Sequence, residues 1–319
     1  MIQVITPIVE PCFLVGAECS GATVIRLMLD GHPEVAFVSE MDFVVSQLPP
    51  EEWPDMESYL DWLPSSRVFH DTGFRVDRRL CYLDLMNSFL RQKLDWGGPA
   101  KHIVGGTVHK HFDRILRIWP DARFIHLVRD PRDVAASVMN MGWAGNVWAG
   151  VEPWIAAETL WEGLRKNLPA HRYLELTFEE VCRDTVTAMT RACHFLGVRF
   201  SPAMLDYPKR TTYDLPVPEL AELWKRQMSP EEVRLVEARL GALLEARHYP
   251  PSGLAPLEVT PTLERRLRRQ DRWGRVRFGI RRYGLQNMMA GFIAKHLRLK
   301  STQRRVRIWR HSVDQVHLK

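Results

Sequence analysis

No apolar run in this chain approaches the roughly 20 residues that a membrane-spanning helix needs. The opening Met1-Ile2-Gln3-Val4-Ile5-Thr6-Pro7 has no basic region, and Glu10 and Pro11 follow early, so no secretory signal is read and a cytoplasmic protein is expected. The five cysteines, Cys12, Cys19, Cys81, Cys182 and Cys193, are few and odd in number, and no two stand as C-x-x-C. That argues against a disulfide framework and against a zinc site, and no metal is expected. Internal repeats and low-complexity blocks are also missing.

What is present suits a globular protein. Of 319 residues, 45% are hydrophobic and 26% charged, enough to bury a large core. The net charge of +6 is unevenly spread: residues Glu264 to Lys319 hold 17 Lys or Arg against 3 Asp or Glu, a net of +14, which leaves −8 for the rest. An acidic body with a basic tail is not a uniformly basic nucleic-acid binder, and no nucleic-acid partner is expected.

Apolar runs and turn residues set out the order of elements. Strands are expected at Cys12–Val15, Val35–Val38, His102–Val104, Arg123–Val128 and Tyr173–Leu176. Helices are expected near Val24–Leu29, Arg79–Leu94, Phe112–Ile118, from Pro131, and at Trp154–Leu168, Phe178–Leu196 and Glu231–Ala246. Residues 49–77, rich in Trp, Pro and acids, read as an insertion with helical pieces. Alternation of strands and helices points to a parallel α/β sheet. Pro250, Pro251, Gly253 and Pro256 mark a linker, so the expected domains are residues 1–255 and a basic helical extension, 256–319.

Two constellations carry chemistry. Gly16-Ala17-Glu18-Cys19-Ser20-Gly21-Ala22-Thr23 joins a strand to a helix with nearly the spacing of a phosphate loop, but Ala22 stands at the lysine position, which argues against a nucleotide triphosphatase. Backbone N–H groups and a helix N-terminus can still bind an anion; a plain turn of small residues fits the same string. Phe124-Ile125-His126-Leu127-Val128-Arg129-Asp130-Pro131-Arg132-Asp133-Val134-Ala135-Ala136-Ser137 runs off a strand into a helix. Arg129 falls at the carboxyl end of the strand, where open α/β sheets bind ligands, and Ser137 falls within the helix, so the two can serve one phosphate. The alternative is a solvated turn with local ion pairs.

In these stretches the chain resembles the sulfotransferases that use 3′-phosphoadenosine 5′-phosphosulfate, in particular bacterial-type members similar to tyrosylprotein and glycolipid sulfotransferases. The loop 16–23 stands for the family's G-x-P-R-S-G-T-T, Leu27-Met28-Leu29-Asp30-Gly31-His32-Pro33-Glu34 for L-D-x-H-P, residues 124–137 for the 3′-phosphate motif, and Tyr173–Glu179 for a later strand. Trp224-Lys225 with Ser229-Pro230-Glu231-Glu232 resembles the last nucleotide loop and helix. The resemblance implies a three-layer α/β sandwich with a central parallel sheet. It further implies that a sulfuryl group passes from that donor to a hydroxyl or amine of a small-molecule, lipid or glycan acceptor. It places Glu18, Cys19, Ser20, Gly21, Ala22 and Thr23 at the 5′-phosphosulfate, Arg129 and Ser137 at the 3′-phosphate, and Lys225 along the nucleotide. Glu40 falls where relatives keep a carboxylate base; a turn acid is the other reading. His32, His109 and His126 are further possible bases, His32 and His126 reading rather as structural.

The sequence departs from the family where a cation is expected. The loop Arg or Lys of the family falls on Cys19, and a second lysine falls on Gly106. Lys110, Arg26 or Arg75 could restore the charge. Otherwise the fold binds the nucleotide without sulfuryl transfer or transfers another group. Cys19 at a helix N-terminus is also a candidate nucleophile. Trp53, Trp62, Trp143, Trp148 and Trp154 are candidates for an apolar acceptor pocket. In the tail, Leu285, Met288, Met289, Phe292, Ile293, His296 and Leu297 recur at helical spacing as one apolar face of a cationic helix. That face suits either docking on the body or contact with a membrane surface.

Overall fold

The computed structural model describes residues 6–297 together with Thr302, Arg305, Val306, Trp309 and Val313. The rest of the basic tail lies outside the described residues. The chain forms two compact units, residues 1–129 with 156–221, and residues 130–155 with 222–319.

The first unit is built on a five-stranded, all-parallel sheet with the order β2-β3-β1-β4-β5. Its strands are β1 (Cys12–Val15), β2 (Val35–Glu40), β3 (Ile103–Val108), β4 (Arg123–Val128) and β5 (Tyr173–Thr177). β1 is central: Val15 pairs with Val108 on one side and with His126 on the other. The strands read as continuous apolar runs because both faces are covered. Helix α1 (Ala22–Gly31) buries Ile25, Met28 and Leu29 at helical spacing in a core shared with Leu14, Phe37, Ile125 and Leu176. Helix α2 (Tyr82–Gly97) packs against β2 and β3. The chain passes to the far side of β1 only after β3. The carboxyl ends of β1 and β4 therefore flank the point where strand order reverses, the usual ligand crevice of such sheets.

The second unit is helical. It holds α3 (Pro131–Asn140), α4 up to Ile155 (α4 is Glu152–Arg165), α7 (Pro230–Leu240), α8 (Pro261–Tyr283) and α9 (Leu285–His296), with α5 (Phe178–Arg183) and α6 (Thr185–Leu196) belonging to the first unit.

Several expected boundaries shift. The helix expected from Arg79 begins at Tyr82, because Arg79 is instead bonded to Asp77 through both its backbone and its guanidinium. The single helix expected over 178–196 is two, since Asp184 leaves helical geometry and caps α6 by accepting from Thr187 N. The helix expected over 231–246 breaks at Gly241. The strand expected at His102–Val104, β3, continues to Val108 through Gly105 and Gly106, whose lack of side chains admits Cys12 and Met41.

Candidate active site at the carboxyl ends of β1 and β4

The loop between β1 and α1 is shaped by three residues with positive φ. Gly16 (φ 144°) leaves β1 so close to β4 that a Cβ would overlap the Leu127 carbonyl oxygen. Cys19 (φ 67°) is left-handed although not a glycine. Gly21 (φ 92°) is the N-cap of α1, and a Cβ there would overlap the Phe178 ring. No side chain caps this helix and its first turn holds no acid, so its leading N–H groups are directed out of the helix and are available to an anion. The Ser20 hydroxyl is buried and has no hydrogen-bond partner among the described residues. A buried orphan hydroxyl beside an open helix N-terminus fits a phosphate or sulfate group.

Arg129 follows β4 and closes one side of the loop. It donates to the Cys19 carbonyl (3.3 Å) and the Leu220 carbonyl (3.4 Å), and its guanidinium lies 4.6 Å above the Phe178 ring. Phe178 therefore supports both the Gly21 turn and Arg129. It was not singled out in the sequence, where it reads as one more apolar residue at the head of a helix.

The other side of the loop is held by a turn after β3. Asp42 Oδ1 accepts from the backbone N–H of His109 (3.0 Å) and Lys110 (2.9 Å). His109 Nδ1 contacts the Gly16 carbonyl at 2.9 Å, a bond that requires the proton on Nδ1. Lys110 Nζ reaches Glu18 Oε1 at 3.0 Å. Of the three cations considered for the missing loop charge, Lys110 is thus brought to the loop. Gly106 lies inside β3 against Met41 and Val38, where no lysine has room. Arg75 is bonded through its backbone to Gln92 and lines a separate cleft of about 500 Å³ with Thr6, Arg78 and Arg91, so it is not at the loop. Arg26 is half-buried in α1; burial lowers its pKa, and Asp30, Tyr213 and Glu40 oppose that shift.

Glu40 ends β2 just past a bulge and has Arg67 at 3.8 Å; its side chain is 45% exposed, open enough to meet a substrate. The histidines divide as their surroundings dictate. His32 is structural: it contacts the Arg199 carbonyl through Nε2 (2.8 Å) and accepts from Glu34 N through Nδ1. His126 is fully buried between Glu158 (3.1 Å) and Glu175 (3.4 Å) and stacks on Trp161 at 4.4 Å. Its hydrogen bond, with that from Trp161, pushes the Glu175 carboxyl down to about 2.

In the second unit, the charged turn after Arg129 is not solvated. Asp130, Arg132 and Asp133 are all buried. Asp130 accepts from Arg132 N, Nε and Nη2 and from Trp224 Nε1 (3.0 Å), and Asp133 accepts from Trp224 N (2.6 Å). The Arg132 guanidinium stacks 3.8 Å from the Trp224 ring and donates to Glu237 (2.8 Å). Half of the motif thus builds the unit, and α3 presents Ser137 as a half-buried residue. Lys225 follows Trp224 and pairs with Glu222 at 2.8 Å. Among the tryptophans considered for an acceptor pocket, Trp154 is fully buried and Trp148 is covered by Arg239, while Trp53 and Trp143 are exposed. Among the described residues no cluster of His, Cys, Asp or Glu could hold a metal ion.

The sequence model of the sulfotransferase family matches residues 11–202. The chain belongs to that family. The match covers the sheet, the loop 16–23 and the Arg129 motif. Among solved structures, the chain is similar to the sulfotransferase domain of the Synechococcus PCC 7002 olefin synthase, with 20% identity, 73% of this chain and 96% of that one covered, and a TM-score of 0.53. It is similar also to the sulfotransferase domain from the curacin biosynthetic pathway, with 16% identity, 77% and 99% covered, and a TM-score of 0.54. At these identities the likeness shows the sulfotransferase fold. No similar sequence is found among curated proteins.

Proposed function

We propose that this member of the sulfotransferase family moves a sulfuryl group from 3′-phosphoadenosine 5′-phosphosulfate to a hydroxyl or amine of a small-molecule, lipid or glycan acceptor. The observation that carries the reading is the loop 16–23: a strand-to-helix turn held open by Gly16 and Gly21, with the buried, unpartnered Ser20 hydroxyl inside it and Arg129 against its Cys19 carbonyl.

In this reading the N–H groups from Glu18 to Thr23, with the Ser20 and Thr23 hydroxyls, hold the 5′-phosphosulfate, and Arg129 and Ser137 hold the 3′-phosphate. Lys225 lines the nucleotide. Glu40 takes the proton from the acceptor, whose oxygen or nitrogen attacks sulfur as the bond from sulfur to the 5′-phosphate oxygen breaks. The electron pair leaves on the phosphate as adenosine 3′,5′-bisphosphate. Lys110 meets that charge in place of the loop cation that Cys19 does not supply. Cys19 contributes its backbone: its left-handed φ turns the chain into the cradle, and its carbonyl takes a hydrogen bond from Arg129.

Calorimetric titration of the full chain with adenosine 3′,5′-bisphosphate, 5′-AMP and ATP tests the reading, followed by incubation with labelled donor and an acceptor library. The expected result is a preference for the bisphosphate that Arg129→Ala removes, and a labelled product. Equal binding of all three nucleotides would refute the nucleotide site. Bisphosphate binding with no product from any acceptor would leave a binding protein on a sulfotransferase fold, as the substitution at Cys19 allows.

A further inference from the structure

Helix α8 carries nine arginines, no lysine and two acids, Glu264 and Asp271. Both acids are engaged, Glu264 with Arg268 and Asp271 with Arg275, each at 2.6 Å. One edge of the helix is docked within its own unit. Leu267 is buried and its carbonyl accepts from Asn146, Asp271 Oδ1 accepts from Gly145 N, Gly274 meets Gly145 backbone to backbone, and Phe278 covers Gly142. Positions 267, 271, 274 and 278 recur every three to four residues, so this edge accounts for docking on the protein.

Among the described residues, no hydrogen bond or close backbone contact of this kind is made by the opposite edge. Trp273 is 74% exposed, and Val276 and Ile280, three and seven residues on, are 42% and 37% exposed. After Gly284, α9 exposes Leu285, Met289, Phe292 and Ile293, and Leu297 just past its end, by 48–64%. Single exposed apolar residues need no explanation, but eight on and just past two successive helices do.

We propose that this edge of α8 and α9 seats on the surface of an anionic lipid bilayer, with the apolar stripe at the acyl boundary and the arginines on lipid phosphates. Charge complementarity selects the partner. The stripe is flanked by a helix in which arginines outnumber acids nine to two, and guanidinium groups match phosphate oxygens in pairs. Large aliphatic and aromatic groups among cations are the pattern of helices that lie in a membrane interface. A nucleic acid would take the arginines and leave Ile280, Phe292 and Ile293 in water. Among the described residues no helix is long and apolar enough to cross a membrane, so the helices lie along the surface. The remainder of the chain carries a net charge of −8, which an anionic surface repels, so contact is confined to the basic helices.

The test is co-sedimentation of the full chain with vesicles of phosphatidylcholine alone and of phosphatidylcholine mixed with phosphatidylserine. Each seated arginine is worth about fivefold toward an anionic leaflet, so two or more give a preference of about 25-fold or greater that salt weakens. Trp273→Ser with Ile280→Ser and Phe292→Ser lowers binding to the mixed vesicles about tenfold or more. Arg269→Gln with Arg272→Gln and Arg277→Gln abolishes the preference. If the first triple variant unfolds by circular dichroism, the single Trp273→Ser and Phe292→Ser variants, at exposed positions, carry the same comparison with smaller losses. Equal binding to both vesicle types, or to neither, overturns the proposal. So does a dimer of the intact protein that Trp273→Ser disperses, or binding to single-stranded RNA that the serine variants retain.

Discussion

Lys110 Nζ lies 3.0 Å from Glu18 Oε1, tying a cation from just past β3 to the residue beside Cys19 in the loop 16–23. A side chain 61% exposed gains little stability from such a pair, so the contact matters for where the charge is held rather than for folding. Lys110→Ala is therefore expected to leave the melting temperature within a degree or two, to weaken the bisphosphate, whose 5′-phosphate it meets, and to lower kcat about 10²- to 10³-fold. Transfer rates and calorimetry on the same variant check this; a rate within threefold of the parent would remove Lys110 from the chemistry.

Arg129 offers charged donors at the carboxyl end of β4. A hydrogen bond to a charged group contributes about 1.5–3 kcal/mol, so Arg129→Ala should weaken adenosine 3′,5′-bisphosphate by about 10- to 150-fold and 5′-AMP far less. Equal losses for both nucleotides would show that the substitution damages the loop through Cys19 instead of removing a 3′-phosphate contact.

Gly21 combines a φ of 92° with contact against Phe178. Gly21→Ala is expected to cost about 1–3 kcal/mol, read by denaturant unfolding. Adding Phe178→Leu should recover part of the loss if ring overlap contributes. Failure to recover any would assign the whole cost to backbone strain.

Glu175 gives a pH dependence with a definite sign. Its carboxyl sits at about 2 in the folded protein because of His126, against about 4.3 in an unfolded chain. The stability it supplies is fully present above about 4.3 and is lost as pH falls toward 2. Glu175→Gln should lower the melting temperature at pH 7, and the gap to the parent should close between pH 4.3 and 2. A gap that is constant across that range would contradict the coupling.

Much of this was legible in the residues. The five strands, the parallel sheet and the sulfotransferase family follow from apolar runs, turn residues and the motifs around Gly16 and Arg129. What escaped was set by contacts between distant positions. Asp130, Arg132 and Asp133 look like a solvated charge run, yet Trp224 and Glu237, about a hundred residues on, bury them. Asp42 lies in no motif and Phe178 fills an unspecified position of one, and their importance lies in what they touch. Gly106 appeared to be a lost lysine, whereas the register of β3 puts it under Met41 and puts Lys110 at the loop. The basic extension was expected to be helical, but the edge of α8 that docks through Leu267, Asp271 and Gly274 was not legible, because its partners Gly145 and Asn146 lie more than a hundred residues earlier.

The central place of β1 has a consequence for synthesis. Cys12 pairs with Arg123, about 110 residues later in the chain, so β1 waits for its second neighbour for roughly 5–20 s at ordinary elongation rates. During that interval Cys12, Phe13, Leu14 and Val15 lack the partner that later buries them, and the loop 16–21 lacks the β4 backbone against which Gly16 is shaped. The loop 16–23 is thus translated well before the strand that completes it, which makes nascent β1 a natural client for a chaperone.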